Sequence, residues 1–187
     1  MHNVNVESLL QTVEQGTADP ASLRQPVELS GEWQTRDGEP QFQGRIPYPG
    51  GEVEFSCDFP PQLGGSGSAP NPLAYCLWGG LACYAMTFAT EAAREGIELR
   101  ALRGVITTEV NQSRALGVDE QPPVEQVDWH LEVEADAPAE TIDELKERAD
   151  ARCPGVYCLR NPISLATTVS PQAQLPRQTH LNEKEKP

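Results

Sequence analysis

Basic residues are scarce in this chain. Lys and Arg number 14 against 28 Asp and Glu, a formal charge of −14 with no local basic patch. Nucleic-acid phosphate would be repelled, so no nucleic-acid partner is expected. Histidine is scarcer still. His2, His130 and His180 lie far in sequence from the five cysteines (57, 76, 83, 153 and 158), and no Cys-x-x-Cys occurs. The ligand spacings of a structural zinc site are therefore missing, and neither a metal nor another cofactor is expected. The run from Met1 to Glu7 has neither the basic segment nor the apolar core of a secretory signal. The expectation is a cytoplasmic protein whose thiols stay reduced unless chemistry uses them. Gly64-Gly65-Ser66-Gly67 has no Lys-Ser/Thr behind it, so it reads as a turn and not as a phosphate cradle. No internal repeat is present.

What the chain does have is one long uncharged stretch, from Asn71 to Thr90. Asn71 is a good cap, Pro72 fits a first helical turn, and Gly96 behind Arg94-Glu95 supplies the stop. The spacing predicts a helix of roughly 24 residues, about 35 Å long, apolar around its circumference and hence buried on every side. Its length would also suit a membrane span. Two glycines, two cysteines, two tyrosines and two threonines within it, with no Lys or Arg just ahead, argue instead for a central core helix carrying the thiol of Cys83. Such a rod is too long for a small domain to enclose alone.

The remaining elements follow from periodicity. Residues 4–24 read as an amino-terminal helical arm, with Val6, Leu9, Leu10 and Val13 on one face and a Pro-marked turn behind. Alternation over 27–35, 41–46 and 53–57, separated by Asp37-Gly38 and Pro49-Gly50-Gly51, predicts a three-stranded antiparallel meander. After the long helix, residues 99–110 are rich in Val, Ile and Thr. Val127, Trp129, Leu131 and Val133 then alternate with polar residues, which turns His130 to solvent. A second helix opens at Asp136-Ala137-Pro138, with Ile142, Leu145 and Ala149 at helical spacing, and ends near Arg152. A last strand is expected over 163–169, and from Ser170 the composition predicts a flexible tail. The organisation expected is an arm (1–25), one domain (26–169) and a tail (170–187), in an α+β fold.

Three motifs together resemble a known family. They are Gly64 to Pro72 leading into Leu81-Ala82-Cys83, then Ala92-Ala93-Arg94-Glu95-Gly96-Ile97, and Cys153-Pro154-Gly155-Val156 before Asn161-Pro162-Ile163. The chain from about Val4 to Val169 is similar to the OsmC/Ohr thiol peroxidases. The resemblance implies antiparallel sheets wrapped around a pair of long central helices in an intertwined homodimer, which would account for a helix too apolar for one subunit. It further implies that Cys83 is a peroxidatic thiolate attacking a hydroperoxide in oxidative-stress defence. Cys153 would be the resolving thiol, with Cys158 as an alternative, and an external dithiol the reductant.

Because Cys83 lies about three turns inside its helix, beyond the reach of the dipole, a cation must stabilise its thiolate. The family uses an arginine; Arg45 fits best, with Arg36 and Arg114 in reserve. The family's peroxide-resistance branch carries a glutamate after Asn-Pro, where this chain has Leu73, so Arg45 would be held by another acid, such as Glu52 or Glu54, or be left less ordered. Tyr75, Trp78, Tyr84 and Phe88 are expected to line an apolar pocket, and Cys57 and Cys76 to be small buried hydrophobes. The alternative is a non-catalytic dimeric module that binds a hydrophobic small molecule in that pocket.

Overall fold

Asn71 does what its position suggested. In a computed structural model that describes residues 3–170, its side chain accepts the amide of Leu73 at 2.9 Å, and Pro72 opens a 23-residue helix, Pro72–Arg94. Ahead of it come helix α1 (Val6–Ala18), capped by Asn5, a 3-10 turn (Pro20–Leu23), and strands β1 (Ser30–Trp33), β2 (Phe42–Tyr48) and β3 (Gly51–Cys57). The long helix is α2. Behind it lie β4 (Leu99–Thr108), β5 (Val127–Ala135), α3 (Ala139–Arg152) and α4 (Pro154–Arg160).

The strands form two antiparallel sheets, β1-β2-β3 and β4-β5. In the first, Arg45 stands opposite Ser30 on one side and Glu54 on the other, the expected meander. In the second, Val105 pairs with His130 and Ile106 with Trp129. Alternation along β5 turns Trp129, Leu131 and Val133 inward and leaves His130 exposed, as its pattern required.

The core lies between α2, α3, α4 and the inner face of β4-β5. Phe88, Ala92, Leu145, Ala149 and Cys153 are almost wholly buried, flanked by Tyr84, Val156, Trp129 and Leu131. Tyr84, Phe88 and Ala92 follow one another at four-residue steps and so form one face of α2. No residue of β1, β2 or β3 belongs to this core.

Three expectations are corrected. Helix α2 is buried along one face only within the single chain: Trp78 is 64% and Met86 70% exposed. A Cβ added at Gly79 would meet no atom within 4 Å. By length and composition α2 could cross a membrane, but its Phe88 face packs in a protein core. Second, residues 163–169 form no regular element and pair with no strand, and Ile163, Leu165 and Val169 stand exposed. Strand propensity yields a strand only where a neighbouring ladder supplies hydrogen-bond partners. Third, Cys76 is exposed and Cys57 only half-buried. The expected tail lies outside the described residues from 171 onward.

Candidate functional site: a thiol pair between α2 and the α3–α4 junction

Cys83 and Cys153, seventy residues apart in sequence, bring their sulfurs to 3.7 Å, with the Cys153 thiol donating to Cys83 Sγ. Local structure explains the approach. Cys153 is the last residue on the ladder of α3, where its amide donates to Ala149 O at 2.9 Å, and also the cap of α4, where its carbonyl accepts the Tyr157 amide at 3.0 Å. Pro154 starts α4 without a donor to lose.

Gly80 lets β5 come close to α2, while Gly155 of α4 meets α2 at ordinary contact distance. A Cβ on Gly155 would sit 3.4 Å from Gly80 O and 3.5 Å from Cys83 Cβ, and one on Gly80 would lie 2.8 Å from the Trp129 indole. The Gly155 amide, an orphan donor in the first turn of α4, is aimed at Cys83 sulfur.

Electrostatics set what this pair does unaided. Burial pushes the Cys83 thiol above its ordinary pKa. The Gly155 amide pulls it down, and the neighbouring sulfurs of Cys153 and Cys158 push it up again. None of these influences is a cation. Cys153 is 1% exposed, so solvent reaches the pair from the side of Cys83, which is partly open.

Two polar ties hold the last turn of α3 against α2 and thereby fix Cys153. Tyr84 Oη donates to Asp150 Oδ1 at 2.7 Å, while Lys146 Nζ and Arg160 Nη2 approach Asp150 Oδ2 at 3.0 and 3.6 Å. Burial alone would raise the Asp150 carboxyl, but the Tyr84 hydroxyl, Lys146 and Arg160 together hold it below the usual carboxylate range. Burial and the Asp150 charge push the Tyr84 phenol well up, so it remains a donor. Two turns farther along α2, the buried carboxylate of Glu91 meets Arg152 at 2.5 Å, Arg94 at 3.5 Å and Arg148 at 3.7 Å.

The arginines proposed from sequence lie elsewhere in the single chain. Arg45, on β2, is bound by both of the acids suggested for it, Glu52 at 3.1 Å and Glu54 at 2.8 Å, and no hydrogen bond or ion pair joins it to either sulfur. Arg36 pairs with Glu39 at 3.7 Å. Arg114 holds its own loop through Gln121 O at 3.1 Å and Glu120 at 3.1 Å.

The four aromatics also part company. Phe88 is core, Trp78 points outward, and Tyr75 packs edge-on to Phe55 and donates to Ser56 O at 3.1 Å. Tyr84 lies against Trp129, ring centroids 5.5 Å apart. Both line an open cavity of about 610 Å³ with Val127, Val156, Leu159 and Arg160. Leu73 presents no carboxylate; its amide is engaged by the Asn71 cap.

Sequence reasoning missed Glu91, though a signal existed. A carboxylate seven residues after Tyr84 and three after Phe88 falls on the buried stripe of α2, where it demands a buried partner. It also missed Asp58, buried at the head of the Gly-rich loop. Asp58 Oδ2 accepts the hydroxyls of Ser66 (2.6 Å) and Ser68 (2.7 Å) and their amides (3.2 and 2.9 Å), which hold the carboxyl far below its usual range. No periodicity reports such a clip.

Several solved structures share this architecture. An OsmC-like protein from Mycoplasma pneumoniae superposes with a TM-score of 0.56 at 16% identity, over 74% of this chain and 89% of its own. An organic hydroperoxide resistance protein from Elizabethkingia anophelis gives 0.52 at 18%, covering 74% and 91%. One from Legionella pneumophila, described as an organic hydroperoxide resistance protein OsmC, gives 0.50 at 17%, covering 73% and 92%. At such identities the likeness concerns the fold. No protein of curated function matches the chain. The family described as OsmC-like protein, however, matches residues 65–168, which span α2, the β4-β5 sheet, α3, α4 and both sulfurs. On that match over more than half its length, the chain belongs to the OsmC-like family.

Proposed function

We propose that the protein is a thiol peroxidase that reduces organic hydroperoxides, and hydrogen peroxide as a smaller substrate, through Cys83 and Cys153. The observation that carries this reading is the 3.7 Å separation of two unbonded thiols. Cys83 thiolate attacks the O–O bond of ROOH, becoming the sulfenic acid and expelling RO⁻, which leaves as the alcohol after taking a proton. The Cys153 thiol then condenses with the sulfenic acid, forming the disulfide and releasing water. A disulfide is about 2.05 Å long, so the sulfurs need to close only about 1.7 Å. An external dithiol restores both thiols by exchange at Cys83, the more open sulfur.

The missing cation is supplied in this reading by a second copy. The β1-β3 sheet contributes nothing to its own chain's core yet presents Arg45, oriented by Glu52 and Glu54. The exposed face of α2 with Trp78, Gly79 and Met86 lacks a cover. An intertwined homodimer satisfies both: α2 packs on its twin, and each sheet carries Arg45 toward the other subunit's Cys83. The guanidinium then offsets the burial that raises this thiol.

The test is consumption of an alkyl hydroperoxide with a dithiol reductant by the wild type, Cys83→Ser and Arg45→Gln. Turnover abolished in the first variant and reduced about 100-fold or more in the second is the expected outcome. Equal slow rates in all three would end the enzyme reading. The cavity beside Tyr84 and Trp129 favours the alternative, a module binding a hydrophobic small molecule. In that case native mass spectrometry shows a bound ligand and no Cys83–Cys153 disulfide follows oxidation.

A further inference from the structure

The other two cysteines of the amino-terminal half lie on neighbouring elements, where the first sheet joins α2. Cys57 ends β3 and Cys76 lies in the second turn of α2. The residues just before them are hydrogen-bonded, Tyr75 Oη to Ser56 O at 3.1 Å. Phe55 meets the Tyr75 ring edge-on with centroids 5.2 Å apart. Alternation along β3 puts Cys57 on the same side as Phe55, which is the side turned toward α2. The Asp58 amide donates to Pro70 O at 3.2 Å and folds the connecting loop back, so the strand end and the helix start are held together from both directions.

Cys76 is exposed and Cys57 half-buried. Burial, and then the charge of the Cys76 thiolate, push the Cys57 thiol up.

We propose that Cys57 and Cys76 are a second oxidisable dithiol, whose disulfide locks the Arg45-bearing sheet to α2. The reaction partner is a small-molecule disulfide. The exposed Cys76 thiolate attacks one sulfur of RS–SR and expels one RS⁻. Cys57 thiolate then attacks Cys76 Sγ and expels the second, so two protein thiols are oxidised as one disulfide is reduced to two thiols. The bond reinforces a joint that includes the Tyr75–Ser56 hydrogen bond, the Phe55–Tyr75 ring contact and the Asp58–Pro70 backbone hydrogen bond. It is a site separate from the Cys83–Cys153 pair and does not depend on peroxide chemistry.

Full-length protein with Cys83, Cys153 and Cys158 changed to Ala, and the wild type beside it, are equilibrated with oxidised glutathione and quenched by alkylation. Peptide mass mapping is then done at low protein concentration. The expected result in both is a Cys57–Cys76 crosslinked peptide within one chain, with both thiols lost to alkylation. Adding Cys57→Ser to the triple variant should replace the crosslink by a glutathione adduct on Cys76. Cys57 and Cys76 both remaining alkylatable in both proteins, a stable glutathione adduct on Cys76 beside a free Cys57, or a crosslink found only between chains would overturn the proposal. The wild type keeps the test decisive if the triple variant fails to fold, and the absence of Cys83 and Cys153 separates the result from any failure of the peroxidase reading.

Discussion

Replacing Tyr84 with Phe removes one oxygen and leaves the ring against Trp129. The lost hydrogen bond is short, 2.7 Å, and its acceptor is the Asp150 carboxylate. Hydrogen bonds to charged groups contribute about 1.5–3 kcal/mol. Asp150 is not stranded by the change, because Lys146 and Arg160 still approach it at 3.0 and 3.6 Å. The cost should therefore lie near the lower end, about 1.5 kcal/mol, or roughly 3–6 °C in Tm for a chain of this size.

The pH dependence is signed. A carboxyl held below its unfolded value, near 3.9, contributes stability above that pH, and the contribution is lost as pH falls through the folded value. Tyr84 is one of the groups holding Asp150 down, so Tyr84→Phe should lose most stability at pH 7 and converge on the wild type under acid. Urea unfolding at fixed protein concentration from pH 7 down to about pH 3 measures both. A pH-independent deficit, or one under about 0.3 kcal/mol at pH 7, would refute the tie between α2 and the last turn of α3. Because that tie fixes Cys153, the same variant should also close the Cys83–Cys153 disulfide more slowly while Cys83 oxidises at an unchanged rate.

Glu91→Gln leaves a cluster of three guanidiniums without its anion. Breaking a buried ion pair costs about 3–5 kcal/mol. Partial exposure of Arg94, Arg148 and Arg152 puts the expected loss near about 3 kcal/mol by urea unfolding. Met86→Glu is expected to change the single chain's stability by under about 0.5 kcal/mol, as exposed substitutions do. In the proposed dimer it buries a charge on the α2 seam, so sedimentation should show the variant as a monomer at concentrations where the wild type is dimeric. Gly155→Ala meets only ordinary contacts and keeps the amide aimed at Cys83, so it should be neutral, or stabilise α4 by up to about 1 kcal/mol, with thiol reactivity retained.

What was readable in the sequence was what local chemistry decides. Asn71-Pro72 announces the start of α2 because both act within one turn, and Trp129, Leu131 and Val133 announce β5 because alternation needs no partner to be seen. The approach of Cys83 to Cys153 followed from family motifs and not from spacing; what permits it, the α3–α4 junction packed across α2, has no periodic signature. The strand expected over 163–169 failed because Ile163 and Val169 have the propensity but no ladder to join in the single chain. Glu91 was legible in principle from its place on the apolar stripe, whereas the Asp58 clip depends on a loop path that only tertiary structure fixes. The outward face of α2 shows how an uncharged stretch can stay open in its own chain, with Trp78 and Met86 exposed.

The most direct measurement is to treat fully reduced protein with one equivalent of an alkyl hydroperoxide and map its disulfides by mass spectrometry. Wild type should yield a Cys83–Cys153 bond within one chain. Cys153→Ser should stop at a Cys83 sulfenic acid, and Cys83→Ser should leave Cys153 reduced. Cys83 and Cys153 both remaining free thiols in the wild type, or Cys153 oxidising equally fast without Cys83, would contradict the account.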